Sequence, residues 1–483
     1  MHSNPSRRTA TSAAPRDVYR DTLTATEAAR ELGIQKRTLY AYVSRGLIPS
    51  IEDPGRPRER RYPAVAVRRL KAYRAAQRDP SLGARAAARG ALAWGEPVLE
   101  SAITLINSGS LYYRGHDVLE LAAHRGFEQV AELLWIGIPP VGRGGGWPST
   151  YTDVAGRSIV GDAYAAWSSV VNGSMLPPIA AAQVALPIAA ALDDGALDRD
   201  PRGMARAGRS ILELLTQLAV GPERRDREGS GGTGGRRGPH ATAESIAKRL
   251  ALAWAPRHDS AASLFDAALI LVADHELNAA ALAARVVAST GGSPYAVVAA
   301  GLAALEGPGH GGDTARIQVL LDRAAEVAAD APGGRRGAGD TAVVTALRRM
   351  VRARIRRGER IPGFGHRLYP SGDPRARFLL DRINAASVER GFRRGAGSRV
   401  AELASSLVTA VRAESGDRPT VDYALAVVAR VTDAPVHAPL TLFALGRSAG
   451  LVAHAIEQCG VGRVLRARAR YIGAPIRVAR DGG

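Results

Sequence analysis

From Trp94 onward the chain is written in long runs of Ala, Leu, Val and Arg, broken at intervals by Gly and Pro. Such runs have high helix propensity, and the breaks fall where helices must end. The expectation is an all-α protein. A hydrophobic fraction of 46% is enough for a sizeable core, and with aromatics at only 5% that core must rest on Ala, Val, Leu and Ile. At roughly 150 residues per domain, 483 residues imply more than one. Three glycine-rich breaks, at 141–148, 221–240 and 331–340, read as surface insertions. There is no repeat of 20–50 residues, no phosphate loop ending in Gly-Lys-Ser/Thr and no HExxH pair. The single cysteine, Cys459, excludes an internal disulfide and a cysteine metal cluster, and no metal site is expected. Cysteine usage suits a reducing cytoplasm. The Arg-containing N-terminus lacks an apolar leader segment, and no uncharged apolar run reaches about 18 residues, so no membrane span is expected.

The first 90 residues hold 19 Lys and Arg against 8 Asp and Glu, a concentration of positive charge that points to a polyanion partner. An Arg-rich overall composition is the plain alternative. Residues 1–20 read as a disordered arm and 21–90 as a small domain. Within it, Thr24 or Thr26 can cap a short helix through Leu32, Gly33 turns the chain, and a second helix runs from about Lys36 to Arg45. A Pro/Gly/Arg loop at 49–61 and a third helical run at 64–78 follow. This arrangement resembles the winged helix-turn-helix of MerR-type and excisionase-like proteins. The resemblance implies that Lys36, Arg37, Thr38, Tyr40 and Arg45 face DNA, with Arg37 and Thr38 near base edges. Arg56, Arg58, Arg60 and Arg61 would lie on the wing against phosphate. Ala28, Ala29, Leu32, Leu39 and Val43 read as core. A helix-turn-helix that tethers or regulates without touching DNA fits the same residues.

Further on, four clusters put catalytic side chains where helices break. They are Asp274-His275-Glu276-Leu277-Asn278, the Gly-rich turn around His310, the turn around His366 continuing into Gly372-Asp373-Pro374-Arg375, and Val421-Asp422-Tyr423 with Arg447 and Arg466 beyond. Each alone has a structural reading, and Asp-Pro-Arg is a common helix start. Together, three histidines, one isolated carboxylate and several arginines suit acid/base chemistry on a dicarboxylate or tricarboxylate. Guanidinium forks match carboxylates, and histidine polarises a carbonyl or passes a proton.

In this order the clusters resemble the citrate synthase family, including 2-methylcitrate synthases. The resemblance runs from about Leu111 to Gly473 and is most specific over 274–312 and in GFGHRLY followed by DPRA. It implies a helical large domain (91–274 and 386–483) and a small domain (275–385) that closes over substrate. It further implies that His310 donates to the thioester carbonyl of an acyl-CoA and that Asp422 takes its α-proton. His366 would bind and protonate the keto oxygen of oxaloacetate. His275, Arg375, Arg447 and Arg466 would hold the carboxylates, the last across a homodimer. Acyl-CoA is then a co-substrate and no cofactor is tightly bound. Four positions depart from the family pattern: Asp313 for alanine, Pro370 for a basic residue, Thr420 for asparagine and Ala467 for proline. The rival reading is a DNA-binding regulator that uses a synthase-like domain as a metabolite sensor.

Overall fold

The computed structural model describes residues 22–44, 48, 50–53, 56–64, 66–67, 70–71, 99–107, 109–137, 147, 158–172, 176–221, 244–307, 313–331, 341–388, 396–467 and 472–473. The chain divides into two units, Met1–Glu100 and Ser101–Gly483.

In the first unit, helices α1 (Ala25–Leu32) and α2 (Lys36–Ser44) are joined by a turn at Gly33, whose φ of 61° suits glycine. Thr24 caps α1 in a reciprocal capping box: its side chain accepts from the Glu27 N–H, and its own N–H donates to Glu27 Oε2 at 2.8 Å. Ala28, Ala29, Leu32 and Leu39 are buried with Ile48, Tyr62, Val67 and Leu70, and Val43 packs on the edge of this core. The segment read as a loop at 49–61 instead forms β2 (Ile51–Asp53) and β3 (Arg56–Pro63), with β3 also pairing with β1 (Thr22–Leu23). In the register of the β2–β3 pair, Arg60 stands opposite Glu52. The expected arm at 1–20, and Arg45 with it, lie outside the described residues.

The second unit opens with a small antiparallel sheet that helix periodicity did not anticipate. It comprises β4 (Thr104–Asn107), β5 (Ser110–Tyr113) and β6 (His116–Asp117). Arg114 (φ 45°) and Gly115 (φ 85°) make the two-residue turn, both in the left-handed region that tight hairpins require. Helices α3 (Val118–His124), α4 (Phe127–Ile136), α5 (Ile159–Val171), α6 (Pro178–Leu192), α7 (Pro201–Val220) and α8 (Ile246–Trp254) follow. Then come α9 (Ala261–Val272), α10 (Ala279–Ser289), α11 (Pro294–Glu306), α12 (Asp313–Ala329) and α13 (Thr341–Arg356). The last are α14 (Pro374–Val388), α15 (Ala396–Ser415), α16 (Val421–Val431) and α17 (Ala438–Val461). The architecture is mostly helical. Of the break read as a surface insertion at 141–148, Trp147 is buried: it stacks on Trp135 with ring centroids 5.8 Å apart and donates to Glu132 at 3.0 Å.

The core is built around α17, which packs on α4, α7, α9, α10 and α11. By length and composition α17 could cross a membrane, but 94% of its apolar window is buried inside the protein, so it is a core helix. A helix apolar on every face belongs in the interior. Of the 275–385 stretch, α10 and α11 pack against α17 and α6, while α12 and α13 pack with α15 and α16. Helix α17 meets α9 at unusually short range because Gly446 and Gly450 face it: a Cβ on Gly450 would lie 2.3 Å from the Ala273 carbonyl oxygen. That approach sets the floor of the site around Asp274.

Candidate active site

Where α9 ends, the fully buried Asp274 accepts from Thr104 Oγ1 at 2.6 Å and lies 3.2 Å from His454 Nε2 on α17. The Tyr113 hydroxyl accepts the Asp274 N–H at 3.0 Å. Burial would raise the Asp274 carboxyl, but His454, Arg447 and Thr104 together bring it below its ordinary value. The next residues turn sharply. Glu276 adopts φ 54°, uncommon for a residue with a side chain, and its Oε1 accepts from the Ile106 N–H at 3.1 Å. Strain of this kind persists where surroundings over-determine it, and such positions cluster at functional sites. Asn278 then caps α10, accepting from the Ala281 N–H at 3.0 Å, so its place in the motif is structural.

The turn thereby directs His275 toward Tyr369, with Nε2 2.9 Å from the hydroxyl. The His275 and His366 rings stand edge to face at 5.4 Å, and the His366 and Tyr369 rings are 4.9 Å apart. Burial pushes the Tyr369 hydroxyl up to about 12. His366 Nδ1 accepts from the Leu368 N–H at 3.2 Å. That contact assigns the ring proton to Nε2, and burial with the nearby Arg375 lowers the imidazole below its usual range. His366 is therefore a neutral donor through Nε2.

Two glycines let the His366 turn lie against the segment before α16. Gly363 and Gly365 adopt φ 78° and 79°. Gly363 O accepts from the Thr420 N–H at 2.9 Å, and the Gly365 N–H donates to Arg418 O at 2.9 Å. Thr420 Oγ1 lies 3.2 Å from Gly363 O and 3.4 Å from Asp422 Oδ2. Asp422 sits in the first turn of α16. Surrounding protein raises its carboxyl above the ordinary range, and Asp373 and Asp313 add to this against the pull of Arg375.

Asp373 joins these pieces. Its carboxylate accepts from Arg375 Nε at 3.0 Å, Arg375 Nη2 at 2.9 Å and the Arg375 N–H at 3.0 Å, and from the Val421 N–H at 3.0 Å. It thus starts α14, orients the Arg375 fork and ties both to α16. Despite burial, Arg375 holds Asp373 below the usual carboxylate range and is itself raised. Arg447 on α17 is 1% exposed, with its Cζ 5.0 Å from the Phe443 ring centre. Among the described residues its one hydrogen bond runs from Nε to Val272 O at 2.9 Å. Burial lowers its pKa, with Asp274 and Asp422 opposing.

Of the residues singled out from sequence, His275, His366, Arg375, Asp422 and Arg447 thus gather in one place. Arg466 does not: it is exposed on the segment after α17, which is held by Ser289 Oγ accepting the Leu465 N–H at 3.0 Å. His310 lies outside the described residues. Asp274 and Asp373 stand in the sequence clusters without an assigned role, and neither Tyr369 nor His454 is given one by the sequence. The DHE and DPR strings carried a signal for the two aspartates, and none marked His454 within its apolar run. In the first unit, Lys36, Arg37 and Tyr40 are exposed on α2 and Thr38 partly so, while Arg60 donates to Ser50 Oγ at 2.9 Å.

Residues 91–468 match the family described as citrate synthase, C-terminal domain, and residues 22–72 match a helix-turn-helix domain. The citrate synthase of Haloferax volcanii is 28% identical over 384 residues, covering 78% of this chain and 93% of that protein. A 2-methylcitrate synthase of Mycobacterium tuberculosis is 28% identical over 387 residues, 77% of this chain and 86% of that one. In fold, the chain is similar to the citrate synthase of Thermoplasma acidophilum in ternary complex with carboxymethyl coenzyme A and oxaloacetate. The TM-score is 0.58 at 22% identity, over 80% of this chain and 97% of that one.

Proposed function

The chain belongs to the citrate synthase family, and from that premise we propose that it condenses a short acyl-CoA, acetyl-CoA or its propionyl homologue, with oxaloacetate. In this reading Asp422 takes a proton from the acyl α-carbon, and the carbon attacks the keto carbon of oxaloacetate. His366 passes its Nε2 proton to the keto oxygen. Water then cleaves the thioester, releasing CoA and citrate or its methyl homologue. His310 takes the role the resemblance assigns it, donor to the thioester oxygen, a position where one preorganised donor is worth roughly 3–4 kcal/mol. Arg375, Arg447 and His275 hold the oxo acid's carboxylates, and Arg466 completes the site of the second subunit in a cytoplasmic homodimer.

One observation carries the reading. Arg447 is a buried guanidinium whose one hydrogen bond among the described residues is from Nε to a backbone carbonyl, and it forms no ion pair there although Asp274, Asp422 and Arg375 lie within electrostatic reach. A buried charge without a hydrogen-bonded counter-charge is costly, and a substrate carboxylate would supply one to Arg447, while Arg375 already has Asp373. The raised Asp422 suits a base that must hold a proton briefly, and the neutral His366 suits a donor. The test is release of free CoA, followed with a thiol reagent, from acetyl-CoA and from propionyl-CoA. Release that depends on oxaloacetate is expected, and the ratio of rates assigns the acyl group. Tight oxaloacetate binding without release from either thioester would instead favour a metabolite sensor.

The first unit supports a second, compatible reading: DNA binding through α2. Its matched helix-turn-helix and the exposed Lys36, Arg37 and Tyr40 favour it. Retention on duplex DNA that falls steeply with salt is the expected behaviour, and K36A/R37A should abolish it.

A further inference from the structure

A cavity of about 280 Å³ lies between α14, α15 and the segment leading into α16. Its charged lining is Arg377 on α14, Arg412 on α15, Arg418, Asp381 and Asp373. Asp373 is already consumed by Arg375 and the Val421 N–H. No hydrogen bond or ion pair engages the guanidinium of Arg377, Arg412 or Arg418 among the described residues, and Asp381 likewise forms none. Three guanidiniums against one free carboxylate leave an excess of two positive charges facing one concavity. Asn384 and Ser405 add neutral donors, and Leu380 and Val408 an apolar wall. None of His275, His366, Arg375, Asp422 and Arg447 lines it.

We propose that this cavity is a phosphate-binding site, taking the phosphate monoester or diphosphate end of a small molecule. A phosphate dianion matches the charge excess, and planar guanidinium forks bind phosphate oxygens in bidentate fashion. The volume sits near the lower end of small-molecule sites, about 300–1,000 Å³, which suits a phosphate group with a compact apolar portion. The location gives the site a consequence. One wall, Gly372 to Pro374, leads directly into Arg375, and the other, Arg418 and Pro419, leads into Asp422. The walls touch: a Cβ on Gly372 would lie 3.3 Å from Arg418 Cγ. An anion held by Arg377, Arg412 and Arg418 together braces both segments, the one that carries Arg375 and the one that carries Asp422. Phosphate binding here is independent of whether the chain condenses an acyl-CoA. The phosphate can belong to a free effector or to the nucleotide end of the acyl-CoA itself.

The test is a calorimetric titration of the full chain with inorganic pyrophosphate. One site per chain is expected. Affinity should fall at least about tenfold, roughly 1.4 kcal/mol, in R418A and in the R377A/R412A double variant. R348A, at an exposed arginine that pairs with Glu414 outside the cavity, should bind as the parent does. Melting temperatures of the variants show whether each is folded. Repeating the titration with saturating CoA names the source: displacement assigns the phosphate to the acyl-CoA, and undiminished binding assigns it to a separate effector. Failure of pyrophosphate to bind, or equal binding by the parent and the folded cavity variants, would overturn the proposal.

Discussion

At Gly450 the α9–α17 crossing leaves no room for a side chain. A Cβ there would sit 2.3 Å from the Ala273 carbonyl oxygen and 2.6 Å from Asp274 Oδ1, whereas ordinary contact begins at 3.4 Å. In Gly450→Ala the helices must therefore part by about 1 Å, since the obstacle is backbone and cannot rotate away. Parting them breaks the hydrogen bond from the Gly450 N–H to Ala273 O, now 3.1 Å, and stretches the His454–Asp274 contact. Overpacking costs about 1–3 kcal/mol and a lost buried hydrogen bond about 1 kcal/mol, so a loss of about 2–4 kcal/mol is expected. Gly460 on the same helix supplies the control. A Cβ there meets nothing within 4 Å, so Gly460→Ala should be neutral or stabilise by up to about 1 kcal/mol. Urea unfolding followed by circular dichroism reads both. Because Arg447 hangs from the Val272 carbonyl at the same crossing, Gly450→Ala should also weaken oxaloacetate binding, measured by calorimetry. Unfolding of Gly450→Ala within half a kcal/mol of the parent, or a larger loss from Gly460→Ala, would refute this account of how α17 sets the site.

Turnover needs Asp422 ionised and His366 neutral, and their surroundings raise the first and lower the second. The pH–rate profile should therefore rise along an acid limb above the usual carboxylate range and stay flat toward neutrality. Asp313→Asn should move that limb to lower pH, because Asp313 raises Asp422. Burial pushes Glu128 up to about 7 from 4.5. The folded state then holds a proton the unfolded chain releases, so stability should fall as pH rises between those values, by on the order of 3 kcal/mol. Glu128→Gln should remove that slope in unfolding titrations at several pH values. Deleting residues 1–90 should leave kcat within about threefold, the size of effect expected for change away from the reacting groups. DNA retention should disappear with it.

How much of this was legible depended on whether a signal was local. Thr24, Glu27 and Gly33 carry cap and turn chemistry within one helix, and the structure places them there. The 104–117 sheet was not legible because its strands, TLIN and SLYY, are too short to show a period of two, though Arg114-Gly115 marks the turn. The 49–61 segment reads as loop by composition and becomes strand by pairing across to Glu52. His275, His366, Arg375 and Asp422 stood out because each sits at a helix break beside Gly, Pro or a charged neighbour. His454 lies in an apolar run and reads as core, and its function as a partner of Asp274 depends on a contact 180 residues away in sequence. Asp373 had the opposite fate: its cap-like spacing concealed that the same carboxylate holds the Arg375 fork.

The measurement that bears most directly on the central claim is Asp422→Asn, compared with the parent for oxaloacetate binding and for oxaloacetate-dependent CoA release. The carboxamide keeps the size of the side chain and leaves Arg375, Arg447 and His366 in place, but it cannot take a proton. Binding should stay within about threefold while turnover falls about 10²–10⁴-fold, the contribution of a positioned base. Parallel loss of binding and turnover, or turnover retained, would contradict the assignment of Asp422 as the base.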